Sequence, residues 1–306
     1  MFEIIFLGTS ASAPSVSRNL SASIVLHKHY RFLVDCGEGT QRQLLKSGLG
    51  FKRLQRILLT HGHLDHILGL GGLVSTFSRW EAVESLEIYG GRWALDRVQD
   101  LILGVVLRGA TPPIDLEFIE LSPGVILKDE NFILSCFPVT HRGPGCFGFT
   151  FEESSRRPFL VDQAERLGVP AGQERKRLVE GEAITLADGT LVHPDQVLGP
   201  PRAGTKLAYV GDAAQTDDLI PYALGADGLV IEATYLSAQA ELAREYGHLT
   251  VVQAASLARK AGVGTLFLNH VSRRYSTQDV LKEALTIFPD TVVVRDLDRF
   301  EVRKKD

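Results

Sequence analysis

The chain has 306 residues, of which 33 are Lys or Arg and 37 Asp or Glu, so its net charge is −4, and any polyanion it binds must be met by a local basic patch. That length is enough for a large core, as one large α/β domain or two small ones, and no run of about 20 apolar residues is present to cross a membrane. No signal peptide is expected, and Cys36, Cys136 and Cys146, odd in number and set in apolar or glycine-rich surroundings, are expected as reduced thiols of a cytoplasmic protein.

Taken in chain order, apolar patterning predicts strands over Glu3–Gly8, Ser23–His27 and Tyr30–Val34, then a helix over Glu38–Ser47. Strand Ile57–Leu59, helix Ile67–Ser78, strand Leu86–Tyr89 and helix Ala94–Leu103 follow. Glu117–Leu121, Gly124–Leu127 and Phe132–Phe137 are expected as a meander of consecutive strands. From Glu152 to about Arg202 the rhythm breaks, and charges and turn residues dominate. Strand Lys206–Val210, helix Asp217–Tyr222, strand Gly228–Ile231 and helices Ala238–Glu245 and Val251–Lys260 resume the alternation. Strand Thr265–Leu268, helix Thr277–Ile287, strand Thr291–Val294 and the segment Phe300–Arg303 complete it. Strands first, then helices interleaved in both halves, imply two sheets packed face to face with helices outside.

The chemistry concentrates just after Ile57-Leu58-Leu59, in Thr60-His61-Gly62-His63-Leu64-Asp65-His66. Imidazole nitrogen and carboxylate oxygen suit zinc and other first-row divalent ions. Two histidines one residue apart can close on one ion, leaving Asp65 and His66 for a second. One such histidine would read as a solvated turn residue, but the cluster has partners downstream. His141 follows Phe132–Val139, Asp212 follows Leu207–Val210 and His270 follows Thr265–Asn269, each at the end of an apolar run where α/β folds place ligands. Together these are seven candidate ligands: His61, His63, Asp65, His66, His141, Asp212 and His270. That is too many for one tetrahedral zinc with an open position and suits two ions sharing a carboxylate. A purely structural zinc is normally closed by cysteines, and no cysteine adjoins the cluster in sequence.

These residues match a known family. The pattern His61-x-His63-x-Asp65-His66 is the HxHxDH signature, and the chain resembles the metallo-β-lactamase superfamily and, within it, the ribonuclease Z family over essentially its whole length. Pro14–Asn19 resembles the family's PxKxRN loop with Val16 in place of lysine, and Asp35–Gln41 matches as well. Ile231-Glu232-Ala233-Thr234 resembles the HEAT element with Ile in place of its histidine, His248-Leu249-Thr250 stands where the family has a catalytic histidine, and Asn269–Tyr275 is similar to its THIS-x-RY element.

The resemblance implies an αββα sandwich spanning residues 1–306 as a single catalytic domain, with residues 152–201 inserted as a protruding arm that grips tRNA. It implies two Zn2+ per subunit, with His61, His63 and His141 on one, Asp65, His66 and His270 on the other, and Asp212 bridging. The reaction implied is endonucleolytic removal of the 3′ trailer of precursor tRNA, with Asp65 orienting the nucleophile, His248 as general acid and Glu232 holding it. RNA contacts are expected from Arg18, Asn19, Arg175, Lys176, Arg177, Ser272 and Arg274, and a homodimer is implied. Two other functions compete: a phosphodiesterase of the same fold acting on small or cyclic diesters, and a non-catalytic tRNA-binding module.

Overall fold

The computed structural model describes residues 1–80, 83–112 and 114–304. Strands β1 (Phe2–Gly8), β2 (Ala22–His27), β3 (Tyr30–Val34), β4 (Arg56–Leu58), β5 (Ser85–Gly90) and β6 (Asp115–Glu120) lie in one sheet. The second sheet begins with β7 (Gly124–Lys128), β8 (Phe132–Pro138) and β9 (Phe147–Glu153). A short hairpin, β10 (Ile184–Thr185) and β11 (Leu191–Val192), comes next in the chain. The second sheet then resumes with β12 (Lys206–Tyr209), β13 (Gly228–Glu232), β14 (Thr265–Asn269) and β15 (Thr291–Val293). The last strand, β16 (Arg299–Val302), returns to the first sheet beside β1.

Period-two alternation decides which side chains meet. On β1, Phe2, Ile4 and Phe6 point between the sheets, while Ile5 and Leu7 point to the outer face. Phe32 and Leu58 join the inner layer from the first sheet; Phe132, Phe149, Phe151, Leu207 and Phe267 join it from the second. The outer face of the first sheet is covered by α1 (Thr40–Lys46), α3 (Gly69–Trp80), which follows the short α2 (Leu64–Ile67), and α4 (Arg92–Gln99). Burial of Leu70, Leu73, Val74 and Phe77 on α3 shows the helical three-and-four spacing.

Two helices in the insertion, α5 (Val161–Arg166) and α6 (Gln173–Val179), come next in the chain, followed by α7 (Ile220–Ala223) and α8 (Ala240–Tyr246). The outer face of the second sheet is covered by α7, α9 (Val251–Ala261) and α10 (Thr277–Leu285). On α9, Thr250 and Gln253 form a capping box at the start and Gly262 adopts a left-handed conformation at the end. The result is the expected αββα sandwich.

Two expectations need correction, and one strand is added. The meander is divided: β6 pairs parallel with β5 in the first sheet, whereas β7 and β8 pair in the second. Ser122-Pro123-Gly124 marks a turn in the sequence, but a turn does not say to which sheet the chain proceeds. Strand β9 adds to the expected elements: Phe147, Phe149 and Phe151 alternate into the inner core and the strand pairs antiparallel with β12. The helix expected to end at Leu103 instead passes from α4 into a wide π-helical segment over Asp100–Leu107, closed by Arg108 in the left-handed region.

Glu153–Gly204 forms a compact unit of its own, a few residues displaced from the expected insertion of 152–201. Its core comprises Ala164, Val169, Leu178, Ile184, Val192, Val197 and Leu198, contributed by α5, α6, the β10–β11 hairpin and the turns between them.

Candidate metal centre

The site is assembled where strands stop. Strand β3 ends at Val34, and Asp35 then takes φ +59°, an uncommon conformation for a residue with a Cβ. The turn brings its carboxylate to the end of neighbouring β4, where it accepts from Thr60 N at 2.8 Å and Thr60 Oγ1 at 2.8 Å. His61 and His63 lie in the loop after β4, and His63 occupies the cap of α2, which places Asp65 and His66 in the first helical turn. In the second sheet β12, β13 and β14 run parallel in register, Tyr209 opposite Val230 and Glu232 opposite Asn269, so their ends lie side by side. They deliver Asp212, Glu232 and His270, the last at φ +52°. Gly211 is required by close approach: a Cβ there would lie 2.7 Å from Thr60 Oγ1.

All seven expected ligands converge. His61 Nε2 lies 2.9 Å from His63 Nδ1, and His141 Nε2 lies 3.3 Å from the same atom. Asp212 Oδ2 lies 3.8 Å from both His61 Nε2 and His141 Nε2, and 3.5 Å from His66 Nε2. A second group forms as His270 Nε2 approaches Asp65 Oδ2 at 3.3 Å and His66 Nε2 at 3.4 Å. A tetrahedron with arms of about 2.0–2.1 Å has edges of about 3.4 Å, so these separations suit ligands around a small cation. Asp212 lies between the groups, and its Oδ1 accepts no hydrogen bond while fully buried.

The outer hydrogen bonds fix which nitrogen faces inward. His66 Nδ1 is 2.8 Å from Asp35 Oδ2 and His141 Nδ1 is 2.7 Å from Gly247 O, so both rings donate there and leave Nε2 as a lone pair. Thr60 gives its hydroxyl proton to Asp35, so its oxygen accepts from His61 Nδ1 at 3.0 Å. Thr234 gives its proton to Glu232 Oε2 at 2.6 Å and accepts from His270 Nδ1 at 3.0 Å. In their neutral form the four imidazoles are thereby held with Nε2 unprotonated and pointing at one another. A cation among them turns that repulsion into coordination.

Electrostatics agree with this. Burial, then the neighbouring imidazoles, lower His61 well below the ordinary histidine value, and His63 is pushed down to about 4 by burial and His141. Burial also lowers His141. These rings are neutral at neutral pH, as metal ligation requires. Asp212 is held well below the carboxylate range, because His270 and His66 outweigh its burial. His66 is held high against its own burial by Asp212, Asp35 and Asp65, so the acidic side of the cluster demands a positive charge.

His248 stands beside this cluster, not within either tight group. Its Nδ1 is 3.0 Å from Glu232 Oε1 and 3.8 Å from Asp212 Oδ2. Burial depresses its imidazolium, but Glu232 dominates and brings it to about 9. Glu232 is fixed from behind by Ala213 N at 2.7 Å, Leu249 N at 3.1 Å and Thr234. A cavity of about 440 Å³ opens over these groups, lined by His63, Asp65, Asp212 and His248 and by Arg97, Arg142, Arg274, Tyr235 and Tyr246.

The expected RNA-binding residues are dispersed. Arg274 lines the cavity, and Ser272 Oγ accepts from Arg274 N at 3.4 Å. Arg18 is turned inward, donating to Thr9 Oγ1 at 2.6 Å, Val294 O at 2.7 Å and Thr277 Oγ1 at 3.0 Å, and Asn19 donates to Glu38 O at 2.8 Å. On α6, Arg175 lies 3.9 Å from Glu165, Lys176 3.6 Å from Glu180 and Arg177 2.8 Å from Glu182. Asp35, Thr60 and Thr234, which have no role in the sequence reading, orient the candidate ligand rings. Asp35 carried the same signal as the ligands, an acid directly after an apolar strand.

Comparison with known proteins agrees with the geometry. A family model described as anti-Pycsar protein Apyc1 matches residues 2–119. A ribonuclease Z of Bradyrhizobium sp. (strain ORS 278) is 48% identical over 302 residues, covering 99% of this chain and 100% of that protein. A ribonuclease Z of Listeria monocytogenes serovar 1/2a is 38% identical over 309 residues, covering 98% of this chain and 99% of its own. Among solved structures, the short form of human tRNase Z matches with a TM-score of 0.70 at 25% identity, covering 99% of this chain and 100% of that one. With its candidate ligand clusters at the strand ends of an αββα sandwich and this likeness over its full length, the chain belongs to the ribonuclease Z family.

Proposed function

We propose that this chain is a zinc-dependent endoribonuclease that removes the 3′ trailer from precursor tRNA, leaving a tRNA 3′-hydroxyl and a trailer 5′-phosphate. The observation that carries the reading is the convergence of both ligand groups and the His248–Glu232 pair on one cleft, in a chain similar to ribonuclease Z from end to end. His61, His63 and His141 would hold one Zn2+, Asp65, His66 and His270 a second, and Asp212 would reach both. Bound there, the pair supplies Lewis acidity, which activates water near neutral pH and offsets charge on the scissile phosphate.

The remaining roles belong to side chains. Asp65 Oδ2 accepts from Ser12 N at 2.9 Å, which holds the carboxylate at the cavity wall to orient the attacking water and take up its proton. His248 presents Nε2–H to the departing 3′-oxygen, because Glu232 occupies Nδ1 and stabilises the imidazolium. Arg274 neutralises the flanking backbone from the cavity wall. Arg18 and Asn19 serve RNA binding by bracing the Pro14–Asn19 loop. The unit Glu153–Gly204 is the arm that grips the body of tRNA, with α6 on it, and two subunits pair so that the arm of one serves the site of the other. The enzyme works in the cytoplasm.

The test is cleavage of a 3′-extended tRNA precursor with both product ends identified, beside bis-(p-nitrophenyl) phosphate. One cut near the discriminator base with the stated ends supports the reading. Hydrolysis of the small diester with the precursor intact would replace it by a phosphodiesterase acting on small or cyclic diesters.

A further inference from the structure

The insertion holds a pair of arginines whose placement calls for an anion. Arg156 and Arg202 face each other across an antiparallel bridge, with Arg156 N donating to Arg202 O at 3.0 Å and Arg202 N to Arg156 O at 2.9 Å. Residues that exchange both hydrogen bonds are directly opposite, with Cα atoms about 5.5 Å apart and side chains on the same face of the ladder. Two like charges in that arrangement repel. Both residues are exposed, and among the described residues no carboxylate forms an ion pair with either.

Four of the unit's other basic groups contrast with this, although Arg166 on α5 is also exposed and has no ion pair among the described residues. Arg157, next in sequence, is spent as a brace, donating to Gly199 O at 2.8 Å and Leu198 O at 2.9 Å and pairing with Asp195. The three bases of α6 each have an acidic neighbour, so that helix presents little net positive charge. The bridge is the place where this unit offers two planar guanidiniums, side by side and uncompensated. Guanidinium forks match the oxygens of a phosphodiester, and one phosphate between two of them removes their repulsion.

We infer that Arg156 and Arg202 form a phosphate clamp at the stem of the insertion, and that its ligand is a backbone phosphate of the RNA substrate. The inference rests on the precursor-tRNA reading above and adds the specific contact by which the insertion holds the strand. It is independent of base identity, since it recognises only the backbone.

The experiment is binding of a 3′-extended tRNA precursor to the full-length, metal-loaded protein, followed by fluorescence anisotropy across a salt series. Loss of the one clamped phosphate should lower the slope of log K against log salt by roughly 0.7–0.9 in the R156A/R202A variant. Affinity at low salt should fall about 10-fold or more, and R156K/R202K should restore most of the slope by restoring charge. Hydrolysis of bis-(p-nitrophenyl) phosphate, which carries no RNA strand for the clamp to hold, should remain at the wild-type rate and shows that the variant is folded. An unchanged slope in R156A/R202A overturns the clamp. So does an equal loss of slope in R175A/K176A/R177A with none in the stem variant. If the wild-type protein neither binds nor cuts the precursor, the functional reading itself fails and the clamp with it.

Discussion

Asp35 touches no expected metal position, yet its replacement by Asn should disable two ligands at once. Its carboxylate is buried and accepts three hydrogen bonds at 2.8 Å each, from Thr60 N, Thr60 Oγ1 and His66 Nδ1. An amide has one oxygen, so Nδ2 must occupy one of the two carboxylate positions and meet a donor. If Nδ2 takes the Oδ2 position, Thr60 loses its acceptor and turns its hydroxyl toward His61 Nδ1. His61 then carries its proton on Nε2, facing the cluster, and His66, deprived of its acceptor, does the same. Disturbing one such outer partner costs about 10–100-fold in metal affinity, so two coupled ligands should cost about 10²–10⁴-fold. The protein without metal should lose about 1–3 kcal/mol from the buried donor left unsatisfied. Zinc competition with a calibrated chelator measures the first quantity, and thermal unfolding with and without zinc measures the second. Zinc affinity within twofold of wild type in Asp35→Asn would refute the argument that these hydrogen bonds set the tautomers.

His248→Ala should retain zinc content and RNA affinity but lose about 10²–10⁴ in single-turnover cleavage, and an unchanged rate would remove it as the acid. Thr234→Val keeps the side-chain shape but leaves His270 Nδ1 without its acceptor; zinc titration should show one site weakened about 10-fold or more. Gly211→Ala places a methyl 2.7 Å from Thr60 Oγ1, and chemical denaturation should report a loss of about 1–3 kcal/mol.

Much of this architecture is visible in the chain, because period-two and helical patterning both reflect burial. Phe2, Ile4 and Phe6 against Ile5 and Leu7 state that β1 is covered on both faces, and that is where the two core layers meet it. The candidate ligands are legible because histidines and acids after apolar strands stand out, and every one of them reaches the cluster. What escaped depends on contacts between distant segments. Nothing local distinguishes β6 from β7 as members of different sheets, since that follows from the parallel register with β5. Asp35 and Thr234 could not be assigned roles because those roles lie in hydrogen bonds to rings 31 and 36 positions away.

The most direct test of the two-centre arrangement is zinc content of the purified protein after exhaustive dialysis, for wild type, His63→Ala, His270→Ala and Asp212→Ala. Two equivalents in wild type, about one in each histidine variant and near none in Asp212→Ala would match ligand groups that share one carboxylate. A single equivalent in wild type that His270→Ala leaves untouched would contradict it.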